Sequence, residues 1–386
     1  MVKKVLLLPF LTMSSGHHRV ADNIQRQIAM QYPHIECKKL DIFHYAYGSI
    51  ENLITNVYLQ WIRRSPESYH FIYTTLAGSK SHSEKKHYRM YAYMFGAAMR
   101  RLLQKEKPDL IFCTHSLPSY ILSMLKQRRV TDVPVVNVYT DFFINNLWGI
   151  GGIDQHWVAD AMMKEHLIEA GVPSSRIFVT GIPIYCGTGS ALKRTNHPPF
   201  TVLLSGGNLG VGGLDTLVEK LGSSSLFRYF VLCGKNKRLY DALSGQANKR
   251  PIKPFPYIDS PEQMDRIYNE ADAVICKPGG VTISECLHKG KPVFVFSALP
   301  GQEAYNLQLL KKRRLVWDLS ELAKSSDSLS IEQAIADILM SESEMNRWSR
   351  EIEKLRQTMH PWRELLQQTI PGNTAHRDRV DFYGHL

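Results

Sequence analysis

Short apolar runs alternate with longer amphipathic stretches along almost the whole chain. Val5–Phe10 is a continuous apolar run, the pattern of a strand covered on both faces. Val20–Met30 follows as a helix and Ile35–Leu40 as a second strand. Asp109–Cys113, Val133–Tyr139, Gln155–Val158 and Ile177–Thr180 continue the series. Such alternation predicts an α/β chain with parallel sheets and crossover helices. Gly187–Pro199, reading GTGSALKRTNHPP, breaks the pattern with a polar, Gly- and Pro-bearing stretch suited to a linker. A second series begins with Thr201–Ser205 and runs through Tyr229–Cys233, Ala273–Cys276 and Val293–Phe296. The expectation is two βα domains facing each other across a cleft. One covers 1–187 and the other 200–360, joined by a linker over 188–199 and followed by a helix and tail over 361–386.

At 386 residues, with 44% hydrophobic and 22% charged positions, each half can bury a core. No apolar run approaches the roughly 20 residues that span a bilayer. The two lysines and apolar run at the N-terminus imitate a short signal peptide. The run lacks a small-residue cleavage site and leads straight into a helical pattern, so it reads as the first buried strand. Cysteines at 37, 113, 186, 233, 276 and 286 show no CxxC spacing, which excludes a zinc ribbon or thioredoxin-like site and suits a reduced, cytoplasmic setting.

A formal net charge of +11 leaves three partner classes: nucleic acid, an anionic membrane, or phosphorylated ligands. No zinc-finger spacing or RNP-type motif supports the first, and no nucleic-acid partner is expected. Lys80–Lys107 carries eight basic residues against Glu84 and Glu106, interleaved with Tyr88, Tyr91, Tyr93 and Phe95. Basic residues beside aromatics suit an anionic lipid surface, and equally a core-facing helix with a basic outer face. Trp61-Ile62-Arg63-Arg64 has the same character; Trp61, Arg63, Arg64, Lys85, Lys86 and Tyr91 are the membrane-facing candidates.

Lys277-Pro278-Gly279-Gly280-Val281-Thr282-Ile283-Ser284-Glu285 carries the strongest chemical signal. An apolar strand ends, two glycines let the backbone turn closely, and a helix begins. The N–H groups and dipole of a helix N-terminus attract phosphate. Thr282 and Ser284 add hydroxyls, and Glu285 can accept from a ribose diol. One βα unit later, Pro300-Gly301-Gln302-Glu303-Ala304-Tyr305-Asn306 places an amide and a carboxylate at the mouth of another helix. There they can bind sugar hydroxyls at the carboxyl edge where open α/β sheets hold ligands.

With these motifs on the page, the chain resembles the diacylglycerol glycosyltransferases of the monogalactosyldiacylglycerol synthase and processive diacylglycerol glucosyltransferase type (glycosyltransferase family 28). It is similar, more distantly, to the peptidoglycan N-acetylglucosaminyltransferase. SSGHHRVA at 14–21, VYTDF at 138–142, TGIPI at 180–184, KPGGVTISE at 277–285 and PGQEAYN at 300–306 carry the resemblance in the family's order. It implies two Rossmann-like domains in the GT-B arrangement, with acceptor in the first and UDP-sugar in the second. Gly279, Gly280 and Thr282 would then meet the diphosphate and Glu285 the ribose. Gln302 and Glu303, supported by Asn306, would hold the donor sugar. Gly206 and Gly207 match the family's glycine turn near the nucleotide, and Phe255 and Ile258 lie in the stretch that lines the uracil. Gly16 and His17 match the acceptor-side motif, with Ser15 in place of its first glycine and His18 following. His115, just past the strand Asp109–Cys113, would border the acceptor pocket.

The reaction so implied is an inverting transfer of a hexose, glucose or galactose, from UDP to diacylglycerol or a related lipid, at the cytoplasmic face of the cell membrane. His17 would be the base, since imidazole titrates near neutral pH, and Asp141 would orient it or share the task. Metal-chelating glycosyltransferases usually carry D-x-D, which this chain lacks, so neither an obligatory metal nor a cofactor beyond the donor is expected. Alternatives on the same scaffold are a UDP-N-acetylglucosamine-dependent transferase, an epimerase, and a non-catalytic UDP-sugar-binding membrane module.

Overall fold

The computed structural model describes residues 2–10, 16–47, 95–185, 197–207, 213–222, 224–245, 250–299, 301–324 and 328–370. Within these, strands pair into two six-stranded parallel sheets. The first contains β1 (Lys4–Leu8), β2 (Glu36–Lys39), β3 (Leu110–Cys113), β4 (Val135–Val138), β5 (Gln155–Val158) and β6 (Ile177–Val179), in the order β2-β1-β3-β4-β5-β6. The second contains β7 (Phe200–Ser205), β8 (Phe227–Leu232), β9 (Ile252–Phe255), β10 (Ala273–Cys276), β11 (Val293–Val295) and β12 (Trp317–Asp318), in the order β12-β11-β10-β7-β8-β9. Every strand pair is parallel, so each connection crosses over a face and the central strands are buried on both sides. That explains the unbroken apolar runs: β3 and β10 are buried at all four positions.

The expected strands are present, with every end within two residues of the expected one. Two edge strands lie outside that expectation. β9 reads Ile-Lys-Pro-Phe with only Ile252 fully buried, and β12 is the dipeptide Trp317–Asp318. Edge strands cover one side only and so lose the apolar run. The helix expected over 20–30 spans Gly16–Gln31, and the helix after the PGG turn spans Gly280–His288.

Side chains define several helix starts. Asp160 Oδ1 accepts from Met163 N at 3.0 Å, and Ser260 Oγ accepts from Gln263 N ahead of Pro261. The last helices cross between the sheets. Trp348, on helix Glu342–Gln357, donates its indole N–H to Leu315 O on the second sheet's side. His360 N then donates to Val179 O at 2.7 Å, and Thr369, ending helix Trp362–Thr369, donates to Gln155 Oε1. The C-terminal helix therefore belongs spatially to the first sheet. Among the described residues, no helix is long and apolar enough to cross a membrane.

Candidate active site

The site forms where helix Gly16–Gln31, at the carboxyl end of β1, meets helix Gly280–His288, at the carboxyl end of β10. The contact is close because glycines start both helices. A Cβ on Gly16 would lie 3.2 Å from Val281 Cγ2, and one on Gly280 only 2.0 Å from the carbonyl oxygen of Thr140. The second glycine of the PGG turn is thus required by backbone contact with the other domain. A Cβ on Gly279 would meet nothing within 4 Å, so that glycine faces open space. The first bond of the helix ladder runs from Ile283 N to Gly279 O, which leaves the amides of Gly280, Val281 and Thr282 ahead of it.

His17 sits one residue into the first helix. Its Nδ1 lies 2.7 Å from the Thr114 carbonyl oxygen and 2.8 Å from Thr140 Oγ1. A carbonyl can only accept, so Nδ1 carries the proton and Nε2 keeps its lone pair. His115 has the opposite tautomer. Its Nδ1 accepts from Leu117 N at 3.1 Å, capping helix Ser116–Gln127, and its ring meets His17 edge-on at 4.8 Å between centroids. Burial holds the His115 imidazole well below its ordinary pKa, with His17 and His18 adding to the effect. Burial likewise lowers the pKa of His17, opposed by the Asp141 carboxylate and the Thr114 carbonyl. Neutral imidazole is therefore the prevailing state at both positions.

Asp141 follows Thr140 at the carboxyl end of β4. Burial raises its pKa, opposed by His17 and by a hydrogen bond from Asn306. Asn306, on helix Gln302–Lys312, is 1% exposed and bonds both domains. Its Oδ1 accepts from Phe142 N at 2.9 Å, while Nδ2 donates to Asp141 Oδ1 at 2.9 Å and to Pro278 O at 3.0 Å. Both amide protons are committed to these bonds, so the side chain bridges the two domains on the same helix as Gln302 and Glu303. Glu303 accepts from Leu299 N at 2.6 Å. Burial raises its pKa, Lys277 opposes this, and Asp141 adds to it, so the two carboxylates share a neighbourhood. Gln302 occupies the first position of the same helix, after Gly301.

A pocket adjoins this junction. Ser205 and Gly207 line it beyond β7, Leu232 and Gly234 at β8, and Pro256, Tyr257 and Ile258 beyond β9, with Met264, Tyr268, Thr282 and Arg19 completing the wall. Gly207 holds a positive φ of 79° at the βα turn, next to Gly206. Ile258 lies in the wall, and Phe255 packs its ring edge against Phe230 at 5.3 Å. Glu285 accepts from Tyr268 OH at 3.1 Å and lies 3.8 Å from Arg19 Nη1. Burial raises its pKa, with Arg19 the largest opposing influence. Ser284 is half-buried on the same helix.

Sequence reasoning missed Arg19, two residues after His17, because its partner Glu285 is 266 positions away. It also missed Thr140, which touches both Gly280 and His17, and Tyr268. The interface is reinforced by Arg313, whose guanidinium pairs with the buried Asp160, and by Arg26 with Glu262. The membrane-facing candidates Trp61, Arg63, Arg64, Lys85, Lys86 and Tyr91 lie outside the described residues. Among the described residues, no cluster of three His, Cys, Asp or Glu side chains could hold a metal.

Two family models match the chain: monogalactosyldiacylglycerol (MGDG) synthase over residues 17–184, and the glycosyltransferase family 28 C-terminal domain over 208–360. YkoN of Bacillus subtilis (strain 168), described as an uncharacterized glycosyltransferase, is 40% identical over 353 residues, covering 91% of this chain and 92% of that protein. A processive diacylglycerol beta-glucosyltransferase of Bacillus cereus (strain AH187) is 27% identical, covering 84% and 85%. Among solved structures, MurG of Acinetobacter baumannii superposes with a TM-score of 0.60 at 17% identity, covering 95% of this chain and 99% of that one. The UDP-bound MnaA of S. aureus superposes with a TM-score of 0.56 at 11% identity, covering 94% of each chain. These likenesses show the GT-B fold.

Proposed function

The chain belongs to the glycosyltransferase family 28 lineage of monogalactosyldiacylglycerol synthase type, and on that premise we propose that it transfers a hexose from a UDP-sugar to a lipid hydroxyl with inversion. Relatives named processive diacylglycerol beta-glucosyltransferase make diacylglycerol the first acceptor, and glucose and then galactose the first donor sugars, to test. The observation that carries the reading is the fixed tautomer of His17 beside Asp141, at the point where the phosphate-type turn meets the other domain.

The acceptor hydroxyl gives its proton to His17 Nε2 as its oxygen attacks the anomeric carbon. The bond from that carbon to the UDP oxygen breaks and its electron pair leaves on the diphosphate. Asp141 stabilises the imidazolium that forms, as a carboxylate beside a general base does. The leading amides of helix Gly280–His288 stabilise the charge growing on the diphosphate, with Gly279 leaving room for it. The pocket running from Ser205 to Ile258 takes the nucleoside, Glu285 the ribose, and Gln302 and Glu303 the sugar. Basic and aromatic positions in 61–64 and 80–94 serve the cytoplasmic membrane surface that presents the acceptor, whereas Phe95, Met99 and Leu102 are buried in the core.

Mass spectrometry of lipids made by the purified chain tests this reading. The chain is incubated with diacylglycerol vesicles and UDP-glucose, UDP-galactose or UDP-N-acetylglucosamine. A hexosyl-diacylglycerol is expected. Epimerised UDP-N-acetylglucosamine with no lipid product would replace the reading with that of a sugar-nucleotide epimerase, and UDP-sugar binding without turnover with that of a binding module.

A further inference from the structure

We propose that Asn306 is a positioning residue that holds Asp141 in register with His17 only while the two domains are closed on each other. The proposal rests on the reading of His17 and Asp141 as base and partner. Its basis is the geometry of one amide. Asn306 lies on a helix of the second sheet's domain, yet two of its three hydrogen bonds go to the first domain, to Phe142 N and Asp141 Oδ1. The third goes to Pro278 O, the carbonyl that opens the phosphate-type turn. The amide has one workable orientation. Phe142 N–H needs an acceptor and Pro278 C=O needs a donor, so Nδ2 must face Asp141.

Opening the cleft would withdraw Nδ2 from Asp141. In the open cleft water solvates Asp141 and its direction is no longer fixed, whereas in the closed site a buried carboxylate without that donor is costly to keep ionised. The same bond that fixes where Asp141 points therefore also favours its charged form, the form that supports a protonated His17. The Pro278 carbonyl ties this arrangement to the turn that receives the donor. Closure and base positioning thus become one event. The groups facing Asp141 are His17, Asn306 and Glu303; those facing His17 are Asp141, the Thr114 carbonyl, Thr140 and His115.

The test compares wild type, Asn306→Ala, Asn306→Asp, Asp141→Asn and the double variant Asn306→Ala/Asp141→Asn in the full chain. Thermal unfolding checks that each is folded. Asn306→Asp keeps the shape but sets a second carboxyl against Asp141 and the Pro278 carbonyl, so a loss of kcat at least as large as that of the alanine variant is expected, and it stands in if that variant fails to fold. Three quantities are read: UDP release from a UDP-sugar on diacylglycerol vesicles, UDP affinity by calorimetry, and the titration of the His17 imidazole by NMR. Asn306→Ala is expected to lower kcat about 100-fold, the scale of an ångström-level misplacement, with UDP affinity changed less than twofold. In the Asp141→Asn background the same change should cost less than fivefold, and the His17 titration should move to lower pH in Asn306→Ala and in Asp141→Asn. Full additivity with an unmoved His17 titration would overturn the positioning role. So would a loss confined to donor KM, which would mark a sugar contact. If Asp141→Asn leaves both turnover and the His17 titration at wild-type values, the base reading itself fails, an outcome distinct from failure of the Asn306 proposal alone.

Discussion

Replacing Gly280 by Ala tests whether the two domains must touch where the chemistry is placed. By local propensity the change should help, since Ala is favoured over Gly in helices by up to about 1 kcal/mol. The structure reverses the sign. The added Cβ would sit 2.0 Å from the Thr140 carbonyl oxygen and 3.0 Å from Ile182 Cδ1. A carbon and a carbonyl oxygen rest at about 3.3 Å or more, so the two backbones must separate by roughly 1.3 Å. The terminal methyl of Ile182 can swing aside but the Thr140 carbonyl is backbone and cannot, and Thr140 also holds His17 through its Oγ1. Overpacking of this kind costs about 1–3 kcal/mol, and an ångström of misplacement costs about 100-fold in rate. The assay is kcat for UDP release on diacylglycerol vesicles together with the unfolding temperature. Gly279→Ala is the internal control. Its Cβ meets no protein atom, so stability should hold while UDP affinity falls, because the methyl enters the space left for the diphosphate. Wild-type kcat and unfolding temperature in Gly280→Ala would refute the close approach on which the site depends.

Other substitutions probe separate parts of the same reasoning. His17→Asn should reduce kcat by about 10²–10⁴ with UDP affinity nearly unchanged, and comparable turnover would remove His17 as base. Burial lowers the His17 pKa, and the base must be unprotonated. The wild-type rate should therefore hold through neutral pH and fall only below the ordinary imidazole value of 6.5; a limb above that value contradicts the buried-imidazole account. Arg19→Ala removes the cation that the first domain places in the pocket proposed for the nucleotide. UDP affinity should weaken by about tenfold or more, as for a charge-assisted hydrogen bond, and an unaltered calorimetric Kd rules Arg19 out as a donor contact. Glu332→Ala strands the donors of Gly222 N, Ser224 N and Tyr229 O–H, which the buried carboxylate now accepts. At about 1–3 kcal/mol for each stranded group, a clear drop in unfolding temperature is expected, with kcat retained below that temperature.

Asn306 shows how closely donor side and base are joined. One side chain touches the turn expected to meet phosphate and the carboxylate expected to serve the base, although these lie on different domains. The ion pair of Arg313 with Asp160 and the return of His360 to Val179 hold the same two bodies together away from the site. Removing one partner of the buried Arg313–Asp160 pair leaves a charge without compensation, so closure is reinforced by groups that take no part in the chemistry.

The periodicity of the chain determined its α/β character, the parallel sheets and most of the strands, because a strand buried on both faces must be apolar at every position. It determined too that a helix begins at the PGG turn, since that signal is local. The candidates His17, Asp141, Gly279, Glu285 and Glu303 were legible for the same reason: each lies at the carboxyl end of a recognisable strand or at the opening of the helix that follows. Tertiary structure alone decided what these residues touch. That Gly280 is there for Thr140, that Asn306 donates to Asp141, and that Arg19 reaches Glu285 all depend on contacts between segments more than a hundred residues apart. The physical reason is that a residue type and its neighbours set which hydrogen bonds a side chain can make. The packing of one domain on the other sets which of them it does make.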